Sequence, residues 1–130
     1  MGLPGSGKTT LARALVEKLQ AEWFNADEVR SIYNDWDFSK EGRIRQAKRL
    51  RFLADNKTHK YVVVDFIAAL KEQRKIFNAD FTIWLDTIQE SRFNDTNKAF
   101  EPPLSEYNLR LVSHNSYNIN DVVQLITDCI

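Results

Sequence analysis

The sequence predicts an α/β fold in which a parallel sheet lies between two layers of helices. Three observations predict it. Three of the four glycines fall within the first seven residues, directly before an amphipathic helical period. Short β-branched or aromatic runs then alternate with further helical periods. No repeat, low-complexity tract or Pro/Gly-rich linker interrupts the 130 residues, so they read as one domain. Strands separated by helices require parallel pairing through right-handed crossovers.

Leu11, Ala12, Leu15, Val16 and Leu19 recur at helical spacing and predict a helix from Lys8 to about Gln20. An extended piece follows at Glu22–Asn25, then a helical turn at Asp27–Tyr33. Ser39 reads as the N-cap of a helix running to about Asn56, with Ile44, Ala47, Leu50 and Leu53 inward. Tyr61–Val64 suits a strand buried on both faces. A helix near Ala69–Phe77 and a strand at Phe81–Leu85 come next, and Pro102 and Pro103 break any regular element. Leu109–Val112 is a candidate last strand. Asn120 or Asp121 would cap a closing helix packing Val122, Leu125, Ile126 and Cys129. Trp23, Trp36 and Trp84 read as core or core-edge residues.

Eighteen basic residues balance eighteen acidic ones. That excludes a generically basic nucleic-acid coat and a disordered polyelectrolyte, so nucleic acid is not the expected partner. The single cysteine cannot form an internal disulfide and fits a reducing, cytoplasmic compartment. No apolar run approaches the ~18 residues of a membrane span, so no membrane partner is expected.

Residues Gly2–Thr9 read GLPGSGKT and fit G-x-x-x-x-G-K-[ST] at every fixed position. Gly2, Gly5 and Gly7 let successive backbone N–H groups, with those of Ser6, Lys8, Thr9 and Thr10, curl around phosphate oxygens. The following helix aims its positive end at the same anion. Lys8 would reach the β- and γ-phosphates of ATP, and the Thr9 hydroxyl would ligate Mg²⁺. The expected architecture is therefore a three-layer P-loop NTPase fold. Such a loop follows a buried strand, yet only Met1 precedes Gly2. The expectation is a single domain over 1–130 truncated at its amino end, or a slot filled by another segment, a homo-oligomer included.

Further motifs follow in order: NADEVR at Asn25–Arg30, DFSKEGR at Asp37–Arg43, VVVDFIAALKEQR at Val62–Arg74 and FEPP at Phe100–Pro103. Together with the P-loop they resemble the adenylyl-sulfate kinase (APS kinase) family across nearly the whole chain. The resemblance implies transfer of the ATP γ-phosphate to the 3′-hydroxyl of adenosine 5′-phosphosulfate. In the family's Asp-Gly-Asp-Asn-x-Arg motif, Asp27 takes the acid beside the accepting hydroxyl and Arg30 the substrate-holding arginine. Asn25 replaces the first acid, Ala26 the glycine and Glu28 the Asn. Phe38 matches the phenylalanine placed against the acceptor's adenine, Arg43 and Arg49 fall on matched arginines, and Phe100 takes a second adenine-facing position.

Asp65, directly after Tyr61–Val64, is placed where P-loop proteins hold an acid near Mg²⁺ and its waters. Asp86 ends the next strand the same way. The family's Phe-Ile-Ser-Pro-x-Arg loop has become Phe66–Lys71 without its Ser, Pro and Arg, and the segment from Asp86 to Pro102 is too short for the family's lid. His59 and His114 lie in expected loops with no partner spacing. Two other readings therefore stay open: a P-loop kinase acting on another small-molecule or nucleotide hydroxyl, and a catalytically weak nucleotide-binding module.

Overall fold

The computed structural model describes residues 1–115 and 117–130. Helix α1 (Lys8–Leu19) follows the P-loop, then β1 (Glu22–Asn25), α2 (Ala26–Tyr33) and α3 (Lys40–Asp55). Strand β2 (Val62–Asp65), α4 (Lys71–Phe77), β3 (Ile83–Leu85), α5 (Asn94–Ala99), β4 (Leu109–Leu111) and α6 (Ile119–Cys129) complete the chain. All pairing is parallel, as the alternation of strand and helix requires. β1 pairs with β2 in the register Glu22 to Val62 through Asn25 to Asp65, and β3 pairs with β4 from Ile83 to Leu109. The strands form two separate two-stranded sheets.

Two cores lie on opposite faces of these strands, because alternate strand residues point to opposite sides. Leu11 and Leu15 of α1 pack with Val122 and Ile126 of α6 against Leu85 and Leu111, with Val63 at their edge. Val29 of α2 and Leu50 of α3 pack with Phe66 and Ala68, with Val64, Phe24 and Met1 at their edge. The result is the three-layer α/β/α P-loop arrangement.

Ser39 caps α3 as expected, its hydroxyl accepting from the Gly42 N–H at 3.2 Å. α6 differs: Asn118 is its cap, accepting from the Asn120 N–H at 2.9 Å. The helix starts earlier because Ile119 packs on the first core. Its inward face carries Val122 and Ile126, while Leu125 and Cys129 are exposed. Trp36 is also exposed, at 52%. It sits between α2 and α3 in a segment held by charged contacts of Asp35 and Asp37 rather than by apolar packing.

Candidate active site

The P-loop wraps tightly because two glycines permit it. Gly7, the residue before α1, has φ +102°, a left-handed conformation open to glycine, and a Cβ there would lie 3.0 Å from the His114 ring. A Cβ on Gly2 would meet the Leu85 carbonyl oxygen and the Ser6 hydroxyl, each at 2.7 Å. Thr87 fastens the turn by donating its hydroxyl to the Ser6 carbonyl at 2.7 Å. His114 lies against the loop, where nothing local in sequence would place it.

α1 has no side-chain cap, unlike α2, α3 and α6. Its first N–H groups therefore have no intrahelical partner and no cap acceptor, and they point out of the turn. The Ser6 side chain is fully buried, and its Oγ has no partner among the described residues. Thr9 and Thr10 are exposed on the first turn. An uncapped helix start, a glycine turn and a hydroxyl beside the lysine fit a polyphosphate with its cation. Mg²⁺ needs few protein ligands there, since it keeps waters and takes phosphate oxygens.

Lys8 donates to the Leu3 carbonyl at 3.0 Å. Burial holds its ammonium below the usual range, while the Asp65 and Asp27 carboxylates pull it the other way. Both acids therefore act on the P-loop lysine. Asp65 is buried at the end of β2, and its Oδ2 accepts from Trp23 Nε1 at 3.0 Å and from Asn25 Nδ2 at 2.9 Å. Both donors lie on β1, the parallel neighbour, where Asn25 is in register with Asp65. The Asn25 Oδ1 meanwhile caps α2, accepting from the Glu28 N–H at 3.1 Å. Trp23 is thus a partner of the carboxylate rather than plain core. Asp86 is tied to Arg110, whose Nε donates to it at 3.0 Å.

On α2, Asp27 is exposed in the first turn and Arg30 is buried. Arg30 donates to the carbonyls of Asp35 and Asp37 at 2.9 and 3.2 Å, and its guanidinium lies 4.2 Å from the Phe38 ring centroid. Arg43, also buried, donates to the Phe38 carbonyl at 2.9 Å and to Thr96 Oγ1 at 3.2 Å. Arg49 and Arg45 converge on Asp35 Oδ2, both at 2.8 Å, and hold its carboxyl far below the ordinary range. Phe38 itself stays 41% exposed, an aromatic face backed by guanidinium. Phe100 is half-buried at the end of α5, donating its N–H to the Thr96 carbonyl at 2.9 Å. Through Arg43 and Thr96, α5 is joined to α3 and the Phe38 segment.

His59 sits beside Glu22 at 3.5 Å and Thr58 at 3.0 Å, away from these groups. Among the described residues no helix is long and apolar enough to cross a membrane.

A family model described as "AAA domain" matches residues 1–103. Among curated proteins, the cytidine diphosphoramidate kinase of Campylobacter jejuni is 41% identical over 63 residues, 42% of this chain and 37% of that protein. A probable adenylyl-sulfate kinase of Aeropyrum pernix is 34% identical over 86 residues, 58% of this chain and 45% of that protein. The chain thus spans less than half the length of either relative. A shikimate kinase of Buchnera aphidicola is 31% identical over 98% of this chain and 81% of its own. In fold, the chain is similar to the Mycobacterium tuberculosis APS kinase solved with AMPPNP and APS. The TM-score is 0.76 at 23% identity, covering 99% of this chain and 93% of that one. The chain belongs to the AAA-domain family, as a P-loop kinase domain and a divergent one similar to the adenylyl-sulfate kinases.

Proposed function

We propose that this domain transfers the γ-phosphate of Mg²⁺-bound ATP to a hydroxyl of a small, nucleotide-like acceptor, with the 3′-hydroxyl of adenosine 5′-phosphosulfate as the first candidate. One observation carries it. Asp27 stands exposed in the first turn of α2, three residues before the buried Arg30 that backs Phe38, and its carboxylate counters the effect of burial on the Lys8 ammonium. A carboxylate between a polyphosphate cradle and an anion-and-ring site is positioned to orient a hydroxyl for in-line attack.

In this reading the P-loop amides and Lys8 hold the β- and γ-phosphates, and Lys8 exchanges its contact with the Leu3 carbonyl for phosphate oxygens. Thr9 and Asp65 are the residues that would hold Mg²⁺ and its waters, and the cation would neutralise charge on the transferring group. Asp27 accepts the acceptor's hydroxyl proton as the new O–P bond forms and the bond to the leaving ADP breaks. Phe38 and Phe100 supply ring faces for a base, and Arg30 and Arg43 supply positive charge beside them.

A second acceptor class is favoured by a specific departure. The Phe66–Lys71 loop keeps no Ser, Pro or Arg of the APS kinase pattern, and Arg74 donates instead to the carbonyls of Ala68 and Glu101. The deciding experiment follows ADP release over a panel holding adenosine 5′-phosphosulfate, cytidine nucleotides and shikimate. Turnover with the first and none with the rest supports the leading reading. Turnover only with another hydroxyl replaces the acceptor. ATP binding without any turnover leaves a nucleotide-binding module. Lys8→Ala should weaken the ATP analogue AMPPNP at least a hundredfold, about 3 kcal/mol, and unchanged affinity in calorimetry would remove the P-loop assignment.

A further inference from the structure

We propose that Gln73 and Arg74, neighbours at the start of α4, are positioning residues that fix the gap between Phe38 and Phe100 and so select an acceptor carrying a flat base. The inference rests on the reading that those two rings receive the acceptor. Each of the two side chains reaches one ring-bearing segment. Gln73 Nε2 donates to the Arg43 carbonyl at 3.0 Å, and Arg43 Nε in turn donates to the Phe38 carbonyl. Arg74 Nη2 donates to the Glu101 carbonyl at 2.8 Å, one residue beyond Phe100. The circuit closes through α5, because Thr96 accepts from Arg43 at its hydroxyl and from the Phe100 N–H at its carbonyl.

Burial makes these ties rigid. Gln73 is 3% exposed, and its Oε1 accepts from the Leu70 N–H at 3.0 Å, so both ends of the amide are used. A buried amide paired at both ends keeps one orientation, since any rotation leaves polar groups unsatisfied. The Arg74 guanidinium spans two segments, its Nη1 reaching the Ala68 carbonyl at 2.7 Å. Burial disfavours its charge, and the Glu106 and Glu101 carboxylates offset this.

The loop between β2 and α4 needs such ties. Phe66–Lys71 carries neither proline nor glycine, yet Ala68 stands at φ +52° and is buried. A non-glycine residue keeps this left-handed conformation only where its surroundings over-determine it. Here Arg74 holds the Ala68 carbonyl, and the Ala69 carbonyl accepts from the Glu101 N–H at 2.7 Å. The Glu101 carboxylate accepts from the Lys71 N–H at 3.2 Å, so the residue after Phe100 is bonded to this loop and to α4 through main chain and side chain. A fixed gap between two ring faces favours a planar base over a puckered ring. None of these bonds involves the phosphate loop, so their loss should leave nucleotide binding at Lys8 in place.

The test loads the parent chain and the Gln73→Met, Arg74→Met and Arg74→Lys variants with AMPPNP. Adenosine 5′-phosphosulfate and, separately, cytidine 5′-monophosphate are then titrated by calorimetry. Both methionine variants should bind whichever nucleotide the parent accepts at least fivefold more weakly, with the AMPPNP Kd within twofold. The Glu101 amide should exchange at least tenfold faster in Arg74→Met. Arg74→Lys should lose as much acceptor affinity as Arg74→Met, because an ammonium cannot span carbonyls on two segments. Return of affinity with lysine would make Arg74 a source of charge and overturn the proposal, as would an unchanged Glu101 amide. A parallel loss of AMPPNP affinity makes the pair residues of the fold alone and also overturns it. Should Arg74→Met not fold, Gln73→Met and Arg74→Lys carry the same expectation. A parent that binds neither nucleotide removes the acceptor reading and this inference with it. Variants that match a binding parent remove this inference alone.

Discussion

Asn25 shows how one side chain can serve two elements. Its oxygen caps α2 and its amide nitrogen donates to Asp65, the carboxylate assigned to the metal side of the site. In the APS kinase pattern an acid stands at this position, and an acid here would place two carboxylates at hydrogen-bonding distance. Asn25→Asp keeps an oxygen for the cap, so its effect isolates the contact with Asp65. We expect Asn25→Asp to lose about 2 kcal/mol in urea unfolding at pH 7, from lost bonding and like-charge contact. Asn25→Ala loses about 1 kcal/mol of cap and one donor. An Asn25→Asp protein as stable as the parent would show that the carboxylate does not depend on this amide. The sequence placed Asp65 at a strand end, but its partners were not legible. They depend on the register of β1 against β2, which is set only when the two strands pair.

Among the elements, those with an apolar period were legible and those without one were not. α1 and α3 follow from their apolar period, and the β-branched run read as a strand at Tyr61–Val64 lies one residue ahead of the observed Val62–Asp65. α5 has six residues, only Thr96 among them buried, so no hydrophobic pattern announces it. It is held instead by polar bonds, Arg43 to Thr96 and Ser91 with Asn97 at both ends of the turn. The segment between α2 and α3 has the same character. Its polar ties to Arg30, Arg45 and Arg49 leave Phe38 exposed but backed. The planar guanidinium of Arg30 reaches two carbonyls and covers a ring, which an ammonium cannot do. Arg30→Ala and Arg30→Lys should therefore both raise the acceptor KM roughly tenfold or more, while the AMPPNP Kd stays within a few-fold. Rescue by lysine would reduce the role of Arg30 to charge, and a parallel loss of nucleotide affinity would make it a residue of the fold alone.

For the molecule as a whole, the split sheet concentrates its consequences on one nitrogen. The Met1 ammonium is lowered from 8.0 to about 5, first because burial disfavours its charge and then because Lys8 repels it. Asp65 pulls the other way, and Arg74 adds a smaller repulsion. Between those two values the unfolded chain holds a proton that the folded chain releases. Stability therefore rises as the pH climbs from 5 to 8, and falls as the pH descends through the same window. A shift of this size corresponds to something on the order of 4 kcal/mol across the window, a large share of the 5–15 kcal/mol of an ordinary domain. Acetylating Met1 keeps the N–H that reaches the Ile83 carbonyl and removes the titrating proton. Urea midpoints taken every half unit from pH 5 to 8 should rise steeply for the free amine. The acetylated chain should show a much smaller rise, and the difference between the two curves isolates this group from every other titration. Identical slopes would mean that the nitrogen keeps its proton in the folded chain, facing water instead of the space between β2 and β3.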